Sequence, residues 1–131
     1  MIALKSIFLV EDDKDDQDFF TEALNEIANT KLFAIASNGI EALHRLKNSI
    51  ILPDIIFMDI NMPVMNGIEC LIALTQNPLT KHIPVVILTT DNYSINLTRQ
   101  LGAKAFIKKP NNYKILIQNI ENIIIMNFNN E

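Results

Sequence analysis

The stretch Pro53-Asp54-Ile55-Ile56-Phe57-Met58-Asp59-Ile60-Asn61-Met62-Pro63-Val64-Met65-Asn66-Gly67 decides the fold. Ile55 to Met58 is an apolar run of four residues, too short for a helix. A proline precedes it and a turn rich in Pro, Asn and Gly follows, so a strand buried on both faces is predicted. A carboxylate at the end of such a strand is costly to bury unless a cation compensates it. Asp59 is therefore expected at the strand's C-terminal mouth, near water and near positive charge. Pro63 and Gly67 punctuate the turn and hand the chain to a helix starting near Ile68.

Upstream, Ile7-Phe8-Leu9-Val10 is a second short apolar run, and it ends in Glu11-Asp12-Asp13. From Asp15 to Ala28 the residues Phe20, Ala23, Leu24 and Ile27 recur at helical spacing. Asp15, Asp16 and Asp18 fall in the first turn of that helix, where carboxylates suit the dipole, and are read as structural. Leu32 to Ala36 is a further strand; Ser37-Asn38-Gly39 turns the chain, and Ile40, Leu43 and Leu46 mark a short helix. Downstream, Ile68, Leu71, Ile72 and Thr75 carry the helix after Asp59. A polar loop (76–82) and Pro84 then lead into the strand Val85 to Leu88, ended by Thr89-Thr90-Asp91. Asn92 to Gln100 is a weakly amphipathic helix with Gly102 at its stop. Ala105-Phe106-Ile107 forms the last strand, ending in Lys108-Lys109-Pro110, and the last helix runs from about Asn112 to Met126. Strands that alternate with helices in this way predict a parallel sheet covered on both faces by right-handed crossovers. In such sheets ligands bind at the C-terminal ends of the strands, where strand order reverses.

A chain of 131 residues holds one domain, predicted to span 1–131. The net charge of −4, with no basic run, argues against direct nucleic-acid binding. No apolar run approaches the roughly 20 residues of a membrane span, and no signal-peptide layout opens the chain. Cys70 is the single cysteine, which fits a reducing compartment, and a cytoplasmic protein is expected. Cys70 is read as a core residue. His44 and His82 have no ligand partners at metal spacing and are read as surface residues.

The predicted strand ends bring polar residues together. The first gives Glu11, Asp12 and Asp13, the third Asp59 and Asn61, the fourth Thr89, the fifth Lys109. Converging carboxylates repel, and a divalent cation resolves the repulsion; hard oxygen ligands with room for water favour magnesium. A hydroxyl and an ammonium beside that cation make a cradle for a phosphoryl group. The remaining carboxylate can then act as a nucleophile toward phosphorus.

With these residues in order, the chain resembles a response-regulator receiver domain of two-component signalling, of the stand-alone, chemotaxis-regulator-like type. The likeness rests on the acidic cluster after the first strand, on Asp59 to Gly67, on Leu88-Thr89-Thr90 and on Lys109-Pro110. It implies a flavodoxin-like (βα)5 fold with strand order 2-1-3-4-5. Asp59 would be the phosphoacceptor, charged by a histidine kinase or histidine phosphotransfer protein. Magnesium would be held by Asp12, by Glu11 through water, by Asp59 and by the backbone carbonyl of Asn61. Asp12-Asp13 is the alternative metal pair. Thr89 would hydrogen-bond the phosphoryl group, Lys109 would pair with it, and Thr89 and Phe106 would form the switch. A cis peptide would join Lys109 to Pro110. The resemblance also implies a slowly autodephosphorylating signalling switch rather than a turnover enzyme, with no attached output domain. Thr90, where Ala or Gly is usual, and Asn111 depart from the family pattern. A dehalogenase-like phosphatase would place a second Asp where Asn61 stands, and a flavodoxin would not have an acidic first loop.

The last helix carries a separate signal. Tyr113, Leu116, Ile117, Ile120, Ile123 and Ile124 share one arc, which is the expected core face. Ile115, Asn119, Asn122 and Met126 line the opposite side without a charge. That stripe is expected to be a contact surface, for a homodimer or a kinase, on the face of the fourth helix, fifth strand and fifth helix.

Overall fold

The computed structural model describes residues 4–90 and 93–126. Along the chain it gives β1 (Lys5–Val10), α1 (Lys14–Asn25), β2 (Thr30–Ala36), α2 (Gly39–Lys47) and β3 (Ile55–Asp59). Then follow α3 (Gly67–Gln76), β4 (Val85–Thr89), α4 (Tyr93–Gln100), β5 (Ala105–Lys108) and α5 (Tyr113–Ile125). The five strands are parallel and lie in the order β2-β1-β3-β4-β5, the flavodoxin-like arrangement.

The unbroken apolar runs become the centre of the sheet because a strand covered on both faces has no side that tolerates polar residues. Every residue of β3 and β4 is buried. Alternate side chains enter two layers. Phe8, Val10, Ile56, Met58 and Ile87 pack with Ala42, Leu46, Leu71 and Leu74 of α2 and α3. Ile7, Leu9, Phe57, Val86 and Leu88 pack with Phe20, Ala23 and Leu24 of α1 and with Leu116, Ile120 and Ile123 of α5. Cys70 is fully buried in the first layer, while His44 and His82 are exposed, as their sequence contexts indicate.

The strand order reverses between β1 and β3. Val10 pairs with Met58 across that seam, so Glu11 and Asp59 leave the sheet side by side. The turn after Asp59 is closely built. Asn66 and Glu69 form a reciprocal capping box at the start of α3. The Gly67 N–H donates to the Ile60 carbonyl at 2.8 Å. A Cβ at Gly67 would stand 2.3 Å from the Asp59 carbonyl oxygen and 2.8 Å from Ile60 Cα, so no side chain fits without moving the Asp59 backbone. Val64 takes a left-handed φ of 67°. The Met65 N–H reaches the Pro63 carbonyl across it, at 2.7 Å, closing a γ-type turn.

Several expected boundaries move. The helix expected to reach Ala28 stops at Asn25 with Glu26 as its cap, because the chain turns at Asn29, which adopts φ 63°. β2 begins at Thr30, two residues before the apolar run, because its pairing with β1 includes Lys5 opposite Thr30. Asp91 and Asn92 lie outside the described residues. The cis peptide expected between Lys109 and Pro110 is absent: no peptide bond among the described residues is cis. Trans is favoured by about 0.5–1 kcal/mol even before proline, and the Lys-Pro pair by itself does not reverse that preference. No helix among the described residues is long and apolar enough to cross a membrane.

Candidate functional site

Glu11, one residue past β1, is 1% exposed, and Asp59, the last residue of β3, is 7% exposed. One carboxylate oxygen each from Glu11, Asp12 and Asp59 lies within 4.8 Å of the others. The Glu11 carboxylate also accepts from the Asp13 N–H at 3.1 Å, and Asp59 Oδ1 accepts from the Ile60 N–H at 2.9 Å. Asp12 is exposed at the rim. Asp13, the other member of the alternative metal pair, is engaged elsewhere: its Oδ1 caps α1 by accepting from the Asp16 N–H.

Lys109 enters from the end of β5. Its N–H donates to the Thr89 carbonyl at 2.7 Å, which fixes its backbone beside β4. Its Nζ lies 2.7 Å from Glu11 Oε1, 3.0 Å from Asp16 Oδ2 and 3.5 Å from Asp59 Oδ1. Thr89 is buried at the end of β4, one residue beyond Leu88, the register partner of Asp59. Asn61 is exposed in the turn. Phe106 pairs with Ile87 in the sheet and is 38% exposed, with the Arg99 guanidinium 5.3 Å from its ring centroid. The fold therefore brings Glu11, Asp12, Asp59, Thr89 and Lys109 to one mouth and leaves Phe106 on an outer face.

Asp16 is the contact that sequence reading misses. Its place in a helical first turn is accounted for by the dipole alone. The available signal is topological: a helix that directly follows an acidic strand end presents its first turn to the mouth.

One ammonium does not balance three clustered carboxylates. Burial pushes the Glu11 carboxyl up to about 7, with the Lys109 hydrogen bond opposing and the nearby Asp59 charge adding to the rise. Burial likewise raises Asp59 above the ordinary carboxylate range, against the pull of Lys109. Burial acts to lower Lys109, but its hydrogen bonds to Glu11 and Asp16 outweigh it and raise the ammonium above the usual lysine range. Three oxygen donors with unbalanced charge suit a hard divalent cation. Glu11, Asp12 and Asp59 could hold one.

The same electrostatics predict how stability responds to pH. Between about pH 4.5 and 7 the unfolded chain has released the Glu11 proton while the folded, metal-free domain still holds it. The folded state binds more protons there, so raising the pH through this window destabilises it, by an amount on the order of a few kcal/mol. Lys109 titrates far above this window and does not reverse the sign. Metal-free protein is expected to melt at a lower temperature at pH 7.5 than at pH 5.5, and Glu11→Gln is expected to flatten that slope. Thermal melts of both proteins in chelator check it; equal slopes would exclude Glu11 as the source.

A parallel sheet in this strand order, with carboxylates at the reversal point and a lysine just past the last strand, is the architecture of a signalling receiver domain. The comparison with known families agrees: residues 7–121 match the response regulator receiver domain, and the chain belongs to that family. Receiver domains partner with histidine kinases or phosphotransfer proteins in two-component signalling. The response regulator Rcp1 of Synechocystis is 31% identical over 126 residues, which cover 91% of this chain and 86% of that protein. The hybrid signal transduction histidine kinase M of Dictyostelium discoideum is 38% identical over 96 residues, which cover 69% of this chain but only 4% of that protein. Among solved structures, the phosphorylated cyanobacterial phytochrome response regulator RcpA superposes with a TM-score of 0.83 at 32% identity, covering 92% of this chain and 91% of that one. The Mn2+-bound form of Rcp1 gives a TM-score of 0.79 at 30% identity, covering 97% and 96%.

Proposed function

We propose that this domain is a phosphorelay switch whose phosphoacceptor is Asp59. The observation that carries the reading is the packing of the Glu11, Asp12 and Asp59 oxygens within 4.8 Å of one another, with Lys109 Nζ 3.5 Å from Asp59. An Asp59 carboxylate oxygen attacks the phosphorus of a phosphohistidine on a histidine kinase or phosphotransfer protein. The new O–P bond forms as the N–P bond breaks, and that electron pair returns to the imidazole. Lys109 draws up to a peripheral phosphoryl oxygen and the Thr89 hydroxyl donates to another, which holds the group in line. Glu11, Asp12, Asp59 and the Asn61 backbone carbonyl would hold magnesium, which when bound neutralises charge on the phosphoryl oxygens. The engagement of Asp13 as a helix cap supports Glu11-Asp12 as the metal pair. Rcp1 is described with Mn2+ and RcpA in phosphorylated form, and both likenesses support the reading.

The phosphoryl group leaves slowly by hydrolysis, so the domain works as a switch rather than a turnover enzyme, and in the cytoplasm, where kinase phosphohistidines are met; cell fractionation tests the location. The decisive experiment is incubation with acetyl phosphate and magnesium, read by intact mass. One added phosphoryl group, lost in hydroxylamine, is expected. No mass gain from acetyl phosphate or from a phosphorylated kinase would refute the reading.

Output is proposed to run from Thr89 and Phe106 to the face of α4, β5 and α5. Leu97, Phe106, Ile115 and Met126 are all exposed apolar residues of these elements or their ends. Introducing charge by Ile115→Glu with Met126→Glu is expected to weaken homodimerisation or kinase binding about tenfold or more. Sedimentation with and without beryllofluoride measures it, and no response to either the mimic or the charges would remove this face from the pathway.

A further inference from the structure

The helix dipole explains why an acid suits position 16; it does not explain where the Asp16 carboxylate goes. Asp16 is the third residue of α1. Its backbone N–H is held by Asp13 Oδ1 at 3.0 Å, and Gln17 Nε2 donates to the Glu11 carbonyl at 2.6 Å. These bonds tie the start of α1 to the end of β1 and set Asp16 at the rim of the mouth. There its Oδ2 meets Lys109 Nζ at 3.0 Å, a contact between residues 93 apart in the chain. A lysine ammonium has three N–H donors. Glu11 and Asp16 stand at hydrogen-bond distance, 2.7 and 3.0 Å, while Asp59 Oδ1 stands further off at 3.5 Å.

Resting on the reading of Asp59 as phosphoacceptor, we infer that Asp16 is a positioning residue that tethers Lys109 and competes with the phosphoryl group for its charge. The two close partners of Lys109 are not equivalent. Glu11 belongs to the oxygen cluster that could hold a cation, and Asp16 does not. A cation in that cluster offsets the charge of Glu11 and loosens its hold on Lys109, but it leaves the charge of Asp16 in place. A phosphoryl group on Asp59 would draw Nζ toward itself, and the 3.0 Å contact with Asp16 holds Nζ where it now stands. A cleft of about 40 Å³, lined by Glu11, Asp16, Phe20, Ile107 and Pro110 among others, lies beside Lys109. Asp16 thus sets how firmly Lys109 engages the phosphorylated state.

The test is the apparent affinity for beryllofluoride at saturating magnesium, in wild type, Asp16→Asn, Asp16→Glu and Asp15→Asn. Asp15 is exposed in the same helical turn, and Asp15→Asn removes the same charge from the same dipole. Asp16→Asn is expected to bind the mimic about two- to fivefold more tightly, the range of a half-exposed ion pair. Asp16→Glu is expected to restore wild-type affinity, and Asp15→Asn to leave it unchanged. Equal effects of Asp16→Asn and Asp15→Asn, or weaker binding in Asp16→Asn, would overturn the inference. If wild type takes neither the mimic nor phosphate from acetyl phosphate, the reading of Asp59 itself has failed and the inference goes with it. If wild type takes both and only the Asp16 comparison fails, the role of Asp16 alone is wrong.

Discussion

Asp59→Asn is expected to lose phosphoryl incorporation by more than about a thousandfold, since an amide oxygen is no nucleophile toward phosphorus and removing a nucleophile has effects of at least that size. The side chain keeps its shape, so the turn built against the Asp59 carbonyl by Gly67 stays in place. The variant also removes one negative charge from a buried cluster that Lys109 only partly offsets. In chelator it should therefore melt at a higher temperature than wild type. A raised melting temperature together with lost labelling separates a chemical defect from a folding defect. Label that persists in Asp59→Asn at the wild-type level would move the acceptor elsewhere.

Asp12→Ala and Asp13→Ala should fail in different ways. Asp12 contributes an oxygen to the cluster, so its loss is expected to weaken magnesium binding by about tenfold or more, as changes around metal sites commonly do, and phosphorylation should fall with it. Asp13 caps α1, so its loss is expected to cost about 1 kcal/mol of stability while magnesium affinity changes little. Magnesium titration and denaturant unfolding of both variants decide the matter. A larger metal defect in Asp13→Ala would make Asp12-Asp13 the metal pair.

The strands were legible because burial on both faces leaves a mark that local composition shows: short runs of Val, Ile, Leu, Met and Phe closed by turn residues. Their C-terminal ends were legible for the same reason, since a polar residue that follows such a run marks its mouth. The apolar run marks β2 only from Leu32, because the strand's start is an edge segment, where Thr30 and Lys31 pair through the backbone and their side chains carry no pattern. Apolar spacing runs past the end of α1, because Ile27 remains buried beyond the helix. Asp16 was missed because its partner lies in another element, and a residue with a sufficient local explanation gives no hint of a distant one. The isomer before Pro110 depends on surrounding contacts that the dipeptide does not encode.

The buried thiol has a practical consequence. Cys70 is the chain's single sulfhydryl; it is wholly enclosed between α3 and the sheet, near the Gly39 carbonyl, and burial pushes it up to about 12. A thiol reagent reacts with thiolate, and here it has neither thiolate nor access until the domain opens. The rate at which Cys70 is alkylated is therefore a clock for opening of the α2–α3 side of the core, readable without an engineered label. Run with and without magnesium, that clock measures how far a ligand at the mouth tightens the layer beneath it.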